Sequence, residues 1–296
     1  MKKIFINKNK IFFSIILLIA AISLNFIGNF LKTPLEADEL RFHAINVGQG
    51  DSFLFVFPKG ETVLIDAGTK ENGLKVVKYL EKNSVEKIDI LVATHPHSDH
   101  IGGMESVLDN FTIKELWDSG YNRGSPTQLN FYKKIREKNI AFITPKRGYN
   151  YEIGGGKIEV LAPERLLKNT RSDANNNSIV IKITYGKTSF LLTGDMEHEE
   201  RNSIPPLPHA TILKAAHHGS HNGISNKMLK EISPQFIIFS YGENNSYGHP
   251  SKKTLKLLKN KSNIIRLDTA KGDILIKTDG ESVKYSVSCE VKPIWK

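Results

Sequence analysis

An α/β fold of sheets packed face to face and covered by helices is what this 296-residue sequence predicts. Three observations carry that expectation. From residue 41 onwards short β-like runs alternate with helical ones. The apolar run 88–93 (IDILVA) has no polar alternation beyond its second residue, so it reads as a strand buried on both faces. The composition, 40% hydrophobic and 24% charged without an internal repeat or low-complexity tract, is that of an ordinary globular chain.

Residues 11–24 (IFFSIILLIAAISL) follow Lys2, Lys3, Lys8 and Lys10 without a charge, and the apolar character runs on to Leu31. A buried core helix would carry a polar stripe, and this segment has none. We therefore expect a basic cytoplasmic end at 1–10, a transmembrane anchor or signal segment at 11–31 and a linker at 32–40. The lysines place residues after about 35 outside the cytoplasm. An uncleaved anchor is favoured over a secreted protein, and the expected location is the cell membrane with the catalytic domain on its outer side. Five lysines and no acidic residue in 1–32 account for half of the net charge of +10, so the remainder is only mildly basic.

Strands are expected at 41–47, 52–57 and 62–65, pairing antiparallel, with Pro58, Lys59 and Gly60 in the last turn. A helix follows over 72–83 with Leu74, Val77 and Leu80 on one face, and then the buried strand 88–93. Further strands are expected at 112–117, 157–161, 178–184, 188–193, 210–215, 235–240, 263–267, 273–277 and 282–286. Helices are expected near 126–138, 224–232 and 251–260. One catalytic domain thus fills 41–290, with a short tail at 291–296.

Cys289 is the only cysteine, which excludes an intramolecular disulfide and any cysteine-built zinc or iron–sulfur site. A lone cysteine also suits an oxidising exterior. Any metal must sit on His, Asp or Glu. Thr94-His95-Pro96-His97-Ser98-Asp99-His100-Ile101-Gly102-Gly103 supplies three histidines and an aspartate within six residues at a strand end. Imidazoles at i and i+2 can point to one side of a sheet edge while Asp99 and His100 aim back from the turn beyond. Neutral nitrogens with a carboxylate oxygen are ligands for zinc, manganese or iron. A polar surface loop is the bland alternative.

This HxHxDH motif resembles that of the metallo-β-lactamase-fold superfamily. Within it, the chain is similar to the soluble hydrolase domain of the ComEC-type DNA-uptake competence proteins and their free-standing relatives. The likeness covers nearly all of 41–290 and rests on five more segments in order: INVGQGDS (45–52), VLIDAG (63–68), LTGD (192–195), LKAAHHGS (213–220) and YGHP (247–250). It implies an αββα sandwich and two divalent metal ions, zinc or manganese. His95 and His97 would hold the first metal, Asp99 and His100 the second, and Asp195 would bridge them. His217 would complete the second site, being preferred over its neighbour His218 because only one of two adjacent strand residues should face a cavity. Most members supply a further histidine to the first metal, yet residues 101–194 contain none; Asn176, Asn177 or Ser178 stand in the matching place. A three-ligand first site should hold its metal more weakly.

Asp99, Lys214 and His249 are the candidate catalytic residues, Lys214 and His249 as donors to an anionic substrate oxygen. A snorkelling lysine and an inert loop histidine are the plainer alternatives. Asp51 either reaches the metal cavity or caps its own turn, and Asp66 is expected to orient a ligand histidine. No GxGxxG, P-loop or GxSxG sequence supports nucleotide-dependent or serine-hydrolase chemistry. The resemblance implies a metal-dependent hydrolase, a phosphodiesterase or nuclease that attacks with a hydroxide held at the metals, on a phosphodiester or phosphate ester such as extracellular DNA. Alternatives are a phosphorylcholine esterase, a β-lactamase, or a non-catalytic metal-stabilised surface binding protein. The chain has one apolar segment, so DNA transport by it alone is not implied, and no protein partner is expected.

Overall fold

The computed structural model describes residues 39–259 and 261–288. The basic end, the apolar segment 11–31, most of the linker and the 291–296 tail lie outside these residues. Among the described residues no helix is long and apolar enough to cross a membrane.

The chain starts as an antiparallel meander of β1 (Leu40–Ala44), β2 (Phe53–Val56) and β3 (Thr62–Ile65). Three parallel strands continue it, β4 (Lys87–Ala93), β5 (Thr112–Asp118) and β6 (Ala141–Ile143). The second sheet opens with antiparallel β7 (Asn150–Ile153), β8 (Gly156–Ala162), β9 (Val180–Tyr185) and β10 (Thr188–Leu192). Parallel pairing then extends it through β11 (Ile212–Lys214), β12 (Phe236–Phe239) and β13 (Ile265–Asp268). The last hairpin, β14 (Ile274–Thr278) and β15 (Val283–Val287), returns to the first sheet beside β1. The strand orders are therefore β15-β14-β1-β2-β3-β4-β5-β6 and β13-β12-β11-β10-β9-β8-β7.

Period-two alternation explains how both faces of these strands are used. In β2, Phe53 and Phe55 join the layer between the sheets, while Leu54 and Val56 face the other way. That outer layer also holds residues of α1 (Gly73–Lys82), α3 (Met104–Asn110) and α4 (Pro126–Glu137). The opposite outer layer joins β10, β11 and β12 to α6 (Asn226–Ile232) through Leu191, Leu213, Ile237 and Met228. An αββα sandwich results. The rings of Phe42 and Phe55 meet Phe190 of the facing sheet at 5.1 and 5.2 Å, so Phe190→Ala should cost about 3–5 kcal/mol.

Several expectations are corrected. Leu74 is 61% exposed, and the buried face of α1 is Gly73, Val76, Val77 and Leu80, which keeps Val77 and Leu80 of the expected stripe and is turned from it by only about half a residue. β1 ends at Ala44, because Asn46 and Gly48 belong to a turn closed by the Asn46 side chain, whose Oδ1 accepts from Gly48 N at 3.0 Å. β6 and β7 were not expected; they are short and largely exposed, so they carry little hydrophobic pattern.

Candidate metal centre

The parallel strands deliver polar residues to one end of the sandwich. From the first sheet come Asp66 after β3 and Thr94, His95 and His97 after β4, followed by Asp99 and His100 in the short helix α2 (Ser98–Ile101). From the second come Asp195 after β10, His217 and His218 after β11, and Ser240 after β12. Asp51 enters from the β1–β2 loop, where Gly50 at φ +131° allows the backbone approach: a Cβ there would stand 2.2 Å from the Asp99 carbonyl.

Four overlapping ligand groups form among the described residues, two of them through Asp51 (with Asp195 and His218, and with Asp66 and His100), and Asp195 links the two sides of the cluster. His95, His97 and Asp195 bring their ligand atoms within 4.8 Å of one another, as do Asp99, His100 and His218. Asp195 reaches both groups: Oδ2 lies 3.7 Å from His95 Nε2 and 3.6 Å from His218 Nε2, while Oδ1 lies 3.3 Å from His100 Nε2. Around them stands an orienting layer. Asp66 accepts from Thr94 N (2.9 Å) and Thr94 Oγ1 (2.6 Å) and faces His100 Nδ1 at 2.7 Å, so Nε2 of that ring is aimed inwards. His218 Nδ1 donates to the Ser240 carbonyl at 2.8 Å with the same result.

The residues fit divalent cations. His100 Nε2, His218 Nε2 and Asp195 Oδ1 are buried without a hydrogen-bond partner, and each such atom is costly to leave unsatisfied. The electrostatics agree. Burial keeps His95 well below its ordinary pKa and takes His97 down to about 4, leaving the neutral imidazoles that metals accept. For His218, burial opposes protonation but Asp195 and Asp51 prevail and lift it to about 9; His100 is raised for the same reason by Asp195 and Asp66. Asp195 resists the upward push of burial because His218, His100 and His217 surround it. The metal-free cluster thus balances buried carboxylates with protons that a divalent cation would displace.

The sequence reading of His217 and His218 is corrected. His218 is buried among the ligand atoms, whereas the partly exposed His217 turns its Nδ1 to Glu197 Oε1 at 3.0 Å and leaves Nε2 3.7 Å from Asp195. Strand alternation does not apply here, because the pair lies in a 3-10 turn with both residues left-handed, at φ 48° and 52°. Asp66 shares that conformation at φ 57°, so backbone strain of order 1–3 kcal/mol per residue is concentrated at the cluster.

Lys214 is corrected too. It is fully buried, lies 2.5 Å from Asp51 Oδ2 and donates to the Gly194 carbonyl at 2.8 Å, so its ammonium neutralises carboxylates and does not face a substrate. Asp51 in turn lies 3.3 Å from His218 Nδ1. His249 sits at the rim, with its ring 5.4 Å from that of His217, and burial lowers its pKa to about 4. Ser178 fills the place of the missing histidine by accepting from Asp195 N at 3.1 Å, while Asn176 and Asn177 bond to the loops around them. Glu197 and Ser240 escaped the sequence reading because neither lies in a recognisable spacing; only their contacts with His217 and His218 reveal them.

The family model of the metallo-beta-lactamase superfamily matches residues 45–235, a span that contains every one of these ligand residues. The chain belongs to the metallo-beta-lactamase superfamily. It is 31% identical over 79% of its length to ComE operon protein 3 of Bacillus subtilis (strain 168), and 28% identical over 70% to Competence protein ComA of Neisseria gonorrhoeae. It spans about a third of the length of those relatives, 33% and 28% respectively. Among solved structures, the metallo-beta-lactamase fold protein YhfI from Bacillus subtilis superposes with a TM-score of 0.53 at 15% identity, covering 84% of this chain and 100% of that one. That likeness concerns the fold. The fold and the His/Asp groups together mark a metallo-beta-lactamase-type site for two divalent metals, with relatives among the competence proteins.

Proposed function

We propose that the chain is a metal-dependent phosphodiesterase acting on DNA outside the cytoplasmic membrane, to which residues 11–31 hold it. One observation carries the chemistry: Asp195 is shared by two ligand groups whose rim, at Asp99 and His217, is partly open to solvent. The competence-protein relatives support DNA as the substrate. When bound, two divalent cations lower the pKa of a water and stabilise the attacking and leaving oxygens of an in-line displacement.

The chain's own residues do the rest. Asp66 and Ser240 fix the His100 and His218 rings, and Lys214 with Asp51 holds the floor of the site electrically balanced. At the rim, the neutral imidazole of His249 is placed to donate a hydrogen bond to a phosphate oxygen, and the buried groups below it keep bulk water out.

The test is turnover. Purified protein loaded with manganese or zinc should hydrolyse bis(p-nitrophenyl) phosphate and DNA in preference to a β-lactam or a phosphocholine ester. Asp195→Ala should abolish the activity together with metal binding. A chain carrying two metals that cleaves no phosphodiester would refute the proposal.

A further inference from the structure

Beside the metal centre lies a second concavity of about 480 Å³, walled by Arg171, His198, Glu199, His221, Asn222 and Lys253 among others. Two short segments tie it to the cluster. His198 directly follows Glu197, the partner of His217 Nδ1, and His221 lies three residues beyond His218. The cleft therefore begins within a few residue lengths of the ligand atoms.

Its charge is distinctive. The side chains of Arg171 and Lys253 form no ion pair among the described residues, although both line the same space. The one carboxylate present, Glu199, is engaged on the wall itself: Oε1 accepts from Arg171 N at 3.4 Å and Oε2 from Asn176 Nδ2 at 3.2 Å. Two exposed cations and two histidines thus face solvent against one committed anion. Ile224 and Leu257 also line the cleft, but neither can satisfy the two cations, whereas a phosphate gains a charge-assisted contact from each.

We infer that this cleft binds a second phosphate of the substrate, one that neighbours the scissile phosphodiester along a polynucleotide chain. The inference rests on the phosphodiesterase reading and narrows it: the substrate class is a polyanionic strand with consecutive phosphates, not an isolated phosphate ester. Arg171 and Lys253 are then positioning residues that select for strand length.

The experiment compares Arg171→Gln/Lys253→Gln with the unaltered chain in two assays. In the first, kcat/KM for bis(p-nitrophenyl) phosphate, which has one phosphate, should stay within about twofold, while kcat/KM for an oligothymidylate of about eight nucleotides should fall at least about tenfold. In the second, metal-free protein is titrated with fluorescently labelled oligothymidylate. The variant should bind more weakly, with a log–log salt slope shallower by about 0.7 for the lost phosphate contact. Equal losses on both substrates, or an unchanged oligonucleotide affinity and salt slope, would overturn the inference. Failure of the phosphodiesterase reading looks different: the metal-loaded unaltered chain would cleave neither substrate, and the binding titration would still decide the role of the cleft.

Discussion

Replacing Lys214 by Met removes an ammonium and keeps nearly the same stem, so the change isolates one buried charge. Lys214 Nζ lies 2.5 Å from Asp51 Oδ2 and 3.6 Å from Asp195 Oδ1, and it donates to the Gly194 carbonyl at 2.8 Å. All three partners are shielded from water, so none can be resolvated when the ammonium goes. Breaking one side of a buried ion pair costs about 3–5 kcal/mol, which is a third to a half of the stability of a domain at roughly 10 kcal/mol. With a denaturant dependence of about 3 kcal/mol per molar urea, the midpoint of the metal-free protein should fall by about 1–1.7 M.

Two controls sharpen the claim. Saturating divalent metal should shrink the loss, because cations bound beside Asp195 take over part of the neutralisation. The double variant Lys214→Met/Asp51→Asn should recover at least about 1 kcal/mol over the single one, since the stranded carboxylate is gone. A metal-free loss below about 1 kcal/mol, or a double variant no more stable than the single, would refute the role given to Lys214. A lysine that only held substrate would lower turnover and leave the urea midpoint where it was.

Four further outcomes are expected. His218→Ala should remove one metal equivalent by elemental analysis, whereas His217→Ala should keep both; the reverse result would restore the ligand assignment read from the sequence. Metal affinity should rise with pH up to about 9, because His218, lifted to about 9, and His100 must lose protons before they can ligate; titration calorimetry in buffers of different ionisation enthalpy should show proton release, and its absence would contradict the protonated cluster. His43 is buried with its pKa lowered from 6.5 to about 4 by burial, Arg41 and Lys277, so the unfolded chain binds the extra proton between those values and stability falls as pH drops from 6.5 to 4; the contribution is about 3 kcal/mol, and His43→Phe should flatten that part of the urea-midpoint profile. A reporter fused after Lys296 should be active only outside the cytoplasm, and cytoplasmic activity alone would overturn the proposed topology.

Much of the fold was legible because hydrophobic period is a local signal. Thr62–Ile65 and the central part of Lys87–Ala93 follow directly from their apolar runs, and Pro58–Gly60 marks the turn between β2 and β3. Leu74 misled because a stripe drawn through every third residue drifts around a 3.6-residue helix, and Val76 lies nearer the buried centre. The HxHxDH cluster was legible because its residues sit close in sequence. Lys214 was misread because nothing in its neighbourhood announces Asp51, which lies 163 positions earlier in the chain and reaches it only through the fold. His218 was missed for a different reason: the choice between adjacent histidines turns on a left-handed backbone, and neither residue type signals it.

The cluster also sits where the two sheets would otherwise end without a shared core. Between them the contact is apolar, with Phe42, Phe55 and Phe190 in one layer; at the carboxyl ends of the strands that layer gives way to carboxylates and imidazoles drawn from both sides. His95, His97, Asp99 and His100 belong to connections of the first sheet, and Asp195 and His218 to those of the second. Cations bound by such a set fasten one sheet to the other, so their binding free energy adds to folding stability by mass action. The same geometry links function to that stability. Orphaned nitrogens, strained turns at Asp66 and His217–His218 and a buried Lys214–Asp51 pair are each unfavourable alone, and they persist because together they form a site that metal occupancy relieves.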